Sequence, residues 1–235
     1  MMARLPALVH DAALKSLWSD EALFLSQCCG YDLVNRYAGI LRPLVTPRFT
    51  APGCQGSEYC SQIVVGEGTA LGDLAEARGG VCAVNGFESH SGMNALRALV
   101  APLHRGGRFF SRVTVCGTHV ESLAAVARRD ADICAIDCVS HALLARHRPN
   151  ALAGTRILCQ SARAPSIPFV TRIDRGEAFA ARLQTALLQV LGDPALGDAC
   201  RELFIAGGVA LPASAYKCIS EFERDASVQG YPELR

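Results

Sequence analysis

Lysine is nearly missing from this chain: Lys15 and Lys217 are the only two, so arginine carries almost all of the positive charge. The 23 Lys and Arg residues balance 22 Asp and Glu to a net charge of +1. Aromatic residues are sparse, at 6%, and are not interleaved with basic ones, so no nucleic-acid surface is expected. No Cys-x-x-Cys pair and no Cys/His cluster at ligand spacing occurs, so neither a metal nor a cofactor is expected. No stretch approaches the roughly 18 apolar residues of a membrane span, which argues against membrane insertion. The N-terminal segment lacks a signal-peptide core, because Pro6, His10 and Asp11 interrupt its apolar run. As written, the chain therefore reads as cytoplasmic. The alternative is a periplasmic protein whose export signal lies before the given start.

Cysteine, by contrast, is plentiful. Eleven in 235 residues is a high and odd number, and the spacings do not form a disulfide framework. Cys82, Cys116, Cys134 and Cys159 fall within apolar runs, where a thiol behaves as a small hydrophobe. Free core thiols in a reducing compartment are the expectation.

Strands and helices alternate along the sequence, which implies an α/β architecture. The most informative stretch runs from Val81 to Arg97. It reads as a short strand (Val81 to Val84), a polar turn, and a helix opening near Ser91. Ser89, Ser91 and Gly92 fall where a helix leaves its first N–H groups unpaired, and those amides with two hydroxyls favour an anion. The arrangement recurs at Val113–Ala127, with Gly117-Thr118-His119 in the turn, and at Ile133–Leu144, with Asp137 at the junction. Three such junctions point to one crevice at the carboxyl ends of parallel strands.

Elsewhere the pattern gives a strand over Ala3 to Val9, a helix over Ala12 to Trp18 and a strand over Ala22 to Leu25. A helix over Leu33 to Leu41 follows, stopped by Pro43. Further strands are expected at Tyr59 to Val65, Thr155 to Gln160 and Phe169 to Arg172, and helices at Gly176 to Leu191 and Pro194 to Phe204. The tail after Tyr216 carries only a weak signal. Together these suggest one lobe formed by the chain ends (residues 1–80 and 161–235) around an inserted lobe (81–160). Hinges would fall at Gly79-Gly80 and at Ser161 to Pro168, with the ligand between the lobes.

Val84-Asn85, Ser89-His90-Ser91-Gly92, Asn94 to Arg97, Gly117-Thr118-His119 and Ala135-Ile136-Asp137 occur in a family order. With Cys29-Gly30-Tyr31 and Ser57 to Ser61, they resemble the phosphate/phosphite/phosphonate substrate-binding proteins of ABC transporters. The resemblance covers about residues 20 to 205. It implies a two-lobed type II periplasmic-binding-protein fold, each lobe a mainly parallel sheet flanked by helices. It also implies a small oxyanion ligand (phosphate, phosphite or phosphonate) and an ABC permease as partner. By resemblance, Ser89 and Ser91 would hold the oxyanion, His119 would donate to it, and Asp137 would accept from a protonated oxygen or an amine. Tyr31 and Tyr59 would cover it, with His90 beside them at the cleft. The chain departs from the family pattern at Gly86-Phe87, where many members carry Asp-Pro, and at His90.

The residues also have plainer roles open to them. Ser89, Ser91 and Asp137 can act as helix caps, and the two tyrosines can be buried packing. An enzyme or ligand sensor on the same fold is the alternative function, with Glu88, His90, His119 and Asp137 as acid–base groups. No nucleophile elbow, phosphate-binding loop or metal motif supports that alternative.

Overall fold

The computed structural model describes residues 7–10 and 13–235, in which strands and helices alternate. The first part of the chain runs α1 (Leu14–Ser19), β1 (Ser26–Gln27), α2 (Gly30–Val34), β2 (Leu41–Phe49), β3 (Glu58–Tyr59) and β4 (Ser61–Gly66). The middle runs β5 (Val81–Val84), α3 (Ala95–Val100), β6 (Arg112–Val115), α4 (His119–Ala127), β7 (Ile133–Asp137), α5 (Cys138–His147) and β8 (Thr155–Gln160). A wide-turn helical segment, His90–Asn94, leads directly into α3. The last part runs β9 (Ala164–Pro165), β10 (Phe169–Arg172), α6 (Glu177–Leu191), α7 (Gly197–Glu202), β11 (Ile205–Val209) and α8 (Cys218–Val228).

Two sheets organise these elements. One has the order β6-β5-β7-β4-β8, in which β6, β5 and β7 are parallel while β4 runs antiparallel to both of its neighbours. Its inner strands β5 and β7, and Ile63 to Val65 of β4, are apolar because both faces are covered, whereas the edge strands β6 and β8 carry polar residues and are partly exposed. Ile63, Val65, Cys82, Val84, Ile133 and Ala135 face the α3 side, and the intervening Val64, Ala83, Cys134 and Ile136 face α4. That is the period of two that a pleated strand imposes.

The other sheet, β1-β10-β2-β11, is antiparallel throughout. The expected mainly parallel sheet in each lobe is therefore corrected: one sheet is mixed and the other antiparallel. The chain leaves the first lobe through β3 and returns through β9, and these two short strands pair with each other. β4 and β8, which adjoin them, give the mixed sheet its antiparallel side. The sheet that the sequence reading begins at residue 81 thus already contains Ser61–Gly66. Gly79-Gly80 lies inside that lobe, just before β5, and the two lobe crossings lie at β3 and β9.

Several sequence expectations are replaced by the structure. The helix expected to end at Pro43 is the five-residue α2, and Pro43 and Pro47 sit inside the nine-residue β2. A proline cannot donate to a ladder. Each is accommodated opposite an irregularity in the partner, at Phe169/Val170 against Pro43 and at Ile205/Gly208 against Pro47. The strand expected at Ala22 to Leu25 is instead the two-residue β1. Of the strand expected at Ala3 to Val9, residues 1–6 lie outside the described residues, and residues 7–10 have no regular structure. The weakly patterned tail contains α8, which places Ile219 and Phe222 on the first-lobe core and Ala226 on the second-lobe core. Tyr231 and Leu234 complete that second core, so the chain end belongs to both lobes.

Candidate functional site

Because β6, β5 and β7 are parallel neighbours, their carboxyl ends share one edge, and the three following helical segments all start there. Each start is capped by a side chain. Ser89 Oγ accepts from the Gly92 amide at 3.0 Å, Thr118 Oγ1 from the Glu121 amide at 3.1 Å, and Asp137 Oδ1 from the Ser140 amide at 2.7 Å. The capping roles of Ser89 and Asp137 are thus real. With Thr118 they cap three positive helix ends that share this edge.

Within this edge Ser91, His119 and Asp137 form a line. Ser91 Oγ lies 3.2 Å from His119 Nε2, and Asp137 Oδ2 lies 3.5 Å from the same nitrogen. Burial lowers the His119 pKa, partly opposed by the Asp137 charge and the Ala135 carbonyl. Among the described residues, no hydrogen bond of good geometry reaches the buried His119 Nδ1. Tyr59, at the lobe crossing, is 3% exposed. Burial, then the nearby Cys29, Asp137 and Cys138, pushes its phenol upward, and a hydrogen bond with Ser91 opposes them. Ser91, His119, Asp137 and Tyr59 are therefore brought together.

Asn85, at the end of β5, is the residue that the sequence reading quoted in a motif but did not place in the site. Its Oδ1 is buried and has no hydrogen-bond partner among the described residues. A side chain at Gly92 would overlap that oxygen and come within 3.2 Å of the His119 ring. Glycine at 92 is what allows the Asn85 amide and the His119 imidazole to close on the helix start.

His90 and Tyr31 sit in a different network. The His90 ring is 2% exposed, packs edge-on to Phe222 at 5.1 Å and lies 6.2 Å from Tyr59. Asn94 Nδ2 donates to both His90 Nδ1 (3.2 Å) and the Ile219 carbonyl (2.9 Å). With no charge to offset it, burial pulls the His90 pKa from 6.5 to about 4. Tyr31 donates its hydroxyl to Glu223 at 2.9 Å, and Glu223 also faces the buried Arg97 at 3.4 Å. At the outer lip, Lys15 of α1 reaches Glu88 at 2.5 Å, both half-exposed, so the pair contributes little.

A groove of about 360 Å³ borders His119, lined also by Thr118, Val120, Leu143 and His147. A larger cavity of about 690 Å³, lined by Leu33, Leu41, Pro43, Leu211 and Lys217 among others, lies on the first lobe away from every residue of the line. The strand edge is the candidate site, where capped helix starts, an imidazole and a carboxylate converge. Among the described residues, no group of three or more His, Cys, Asp or Glu side chains is arranged to hold a metal ion. No helix there is long and apolar enough to cross a membrane.

Comparison with known proteins decides the family. Residues 22–216 match the family described as "ABC transporter, phosphonate, periplasmic substrate-binding protein". The chain belongs to that phosphonate-binding family. Its function is accordingly solute binding rather than catalysis, with a small ligand and an ABC permease as the family's partners. The family is periplasmic, which supports the alternative placement over the cytoplasmic one.

Solved structures agree on the fold. PhnD1 from Prochlorococcus marinus, in complex with methylphosphonate, superposes with a TM-score of 0.76 at 14% identity, covering 91% of this chain and 82% of that one. A binding protein component of an ABC phosphonate transporter from Pseudomonas aeruginosa gives 0.75 at 14% identity, covering 92% and 72%. A Xanthomonas citri protein bound to ATP gives 0.65 at 18% identity, covering 87% and 77%. No curated protein sequence matches the chain.

Proposed function

We propose that this protein closes on a phosphonate- or phosphate-like oxyanion, without altering it, and presents it to an ABC permease from the periplasm. The observation that carries the reading is the Ser91–His119–Asp137 line at an edge where three helical segments begin. An oxyanion seated there would take hydrogen bonds from the Ser89 and Ser91 hydroxyls, helix amides and His119. Asp137 would accept from a protonated oxygen of the same ligand, or from an amine substituent, and would disfavour a fully deprotonated anion. Tyr59 would cover the ligand from the crossing strand. Tyr31 would line the cleft while anchored to Glu223, and His90 would support the wall behind Tyr59. Asn85 is added as a donor through its amide nitrogen. Charge-assisted bonds of this kind are roughly twice as strong as neutral ones, which suits selective capture of a small ligand.

The experiment is a thermal-shift panel with phosphate, phosphite, methylphosphonate, 2-aminoethylphosphonate, sulfate and small carboxylates. A ligand at a hundred times its dissociation constant adds about 2.7 kcal/mol. For a chain of this size that is a rise of about 5–10 °C. A rise selective for phosphorus oxyanions is the expected result. A flat panel, or one led by carboxylates, would remove the assignment.

A further inference from the structure

Three cysteines meet where the lobes join, and the binding edge makes no use of their chemistry. Cys54 lies in the loop between β2 and β3, Cys60 between β3 and β4, and Cys138 opens the ten-residue α5. The sulfurs of Cys54 and Cys138 are 3.4 Å apart, although 84 residues separate them in sequence. The Cys138 amide donates to the Cys60 carbonyl at 2.9 Å, which fixes the third thiol beside them. Gly53 makes the approach possible. Its φ is +105°, and a Cβ there would meet Cys60 Sγ at 2.7 Å and Cys138 Cβ at 3.0 Å.

The three sulfurs are not equivalent. Cys60 and Cys138 are buried and Cys54 is partly exposed. Hydrogen bonds from the Cys54 and Cys60 thiols favour the thiolate of Cys138, and the start of α5 adds to that preference. The same contacts push Cys54 and Cys60 upward. Arg163, which donates to the Gly53 carbonyl at 3.1 Å, supplies a nearby cation, while Asp137 and His141 face the cluster from α5 and its cap. One sulfur is thus reachable, and a second, buried and thiolate-favouring, stands within reach of it.

We propose that Cys54 and Cys138 form a redox-active pair that closes to a disulfide between the two lobes on meeting a small-molecule disulfide. Cys54 passes its proton to the Cys138 thiolate 3.4 Å away and attacks the reagent as a thiolate, and Cys138 hands that proton on to the departing reagent sulfur. A mixed disulfide forms at Cys54, and one reagent thiol leaves with that proton. The Cys138 thiolate then attacks the Cys54 sulfur, a Cys54–Cys138 bond forms, and the second reagent thiol leaves with a proton from water, to which Cys138 had lost its own. Two protein thiols are oxidised by two electrons and one reagent disulfide is reduced to two thiols, as thiol–disulfide exchange requires. The bond ties the loop after β2 to the start of α5, whose cap is Asp137. The antiparallel lobe and the binding edge are then covalently joined. This rests on the thiol geometry alone and stands whichever ligand the site takes.

The test exposes folded, fully reduced protein to oxidised glutathione, blocks free thiols by alkylation, and maps the unreduced digest by mass spectrometry. The expected result is an intact mass, taken before alkylation, lower by two hydrogens, and one linked peptide pair containing Cys54 and Cys138 in the alkylated digest. Cys138→Ser should stop at a glutathione adduct on Cys54, whereas Cys60→Ser should still form the bond. Cys54→Ser, at a partly exposed position, should lose it. No mass loss in the folded wild type, or a linked pair that contains Cys60 in place of Cys54, would overturn the proposal.

Discussion

The two lobes solve the same problem differently. The five-stranded sheet sends three parallel strands to one edge and turns each into a helix, so polar residues just past the strand ends converge. The four-stranded antiparallel sheet brings no such set of helix starts together. It supplies a scaffold packed by α6 on one face, with Leu44 and Val45 against Leu183, Leu187 and Leu191, and by Trp18, Tyr37 and Tyr216 on the other. Parallel topology gathers helix ends, and antiparallel topology builds a wall. Substitutions in the first kind of lobe should therefore register in ligand binding, and in the second kind in stability.

His119→Ala should break that contrast most sharply. It removes a donor held between Ser91 and Asp137, and titration calorimetry should show a loss of about 2–3 kcal/mol in oxyanion binding, roughly 100-fold.

Acid should lower stability through His90, which lies at the seam between the start of the helical segment before α3 and α8. The unfolded imidazole takes a proton near 6.5 and the folded one only near 4, so the unfolded chain binds more protons between those values. Stability from this group is complete above about pH 6.5 and falls as the pH drops toward 4, by up to about 3 kcal/mol. Urea melts across that window should show the slope, and His90→Gln should flatten it.

Gly208→Ala should do the opposite of His119→Ala. Its Cβ would meet Val45 Cγ1 at 2.5 Å and Leu191 Cδ1 at 2.8 Å, so the first-lobe core must shift. A cost of about 1–3 kcal/mol, seen as a lower melting temperature with ligand affinity unchanged, is expected. Ser89→Ala is the smallest of the set, about 1 kcal/mol of stability for a lost cap, with a weakening of anion binding beside it.

Much of the second lobe was legible because its signals are local. Val81–Val84 followed by a Ser-His-Ser turn, and Ile133–Asp137 followed by an apolar helix, each state strand, cap and helix within a dozen residues. The first lobe was less legible because its central strand breaks a local rule. Pro43 and Pro47 argue against a strand, and only bulges in β10 and β11, more than a hundred residues away, make room for them. α8 was hidden for a related reason: its charged residues mask Ile219, Phe222 and Ala226, each of which finds its partner on another element.

At the candidate site, the convergence of Ser91, His119 and Asp137 on one edge could be read from their place after strands. The separation of His90 and Tyr31 into a network with Asn94, Arg97 and Glu223 could not, since Glu223 lies in the segment with the weakest pattern. The sequence pattern shows Asn85 only as the neighbour of Val84 in a motif. Its signal is the glycine at 92, whose missing side chain makes room for the amide.

The most direct measurement is calorimetric titration of methylphosphonate into the wild type and into a Ser89→Ala/Ser91→Ala double variant that circular dichroism shows to be folded. The account predicts binding by the wild type and a loss of roughly 100-fold or more in the variant, from two hydroxyl contacts of about 1.5–3 kcal/mol each to a charged ligand. Equal affinity in the two proteins would contradict it and would move the anion away from the edge where the three helices begin.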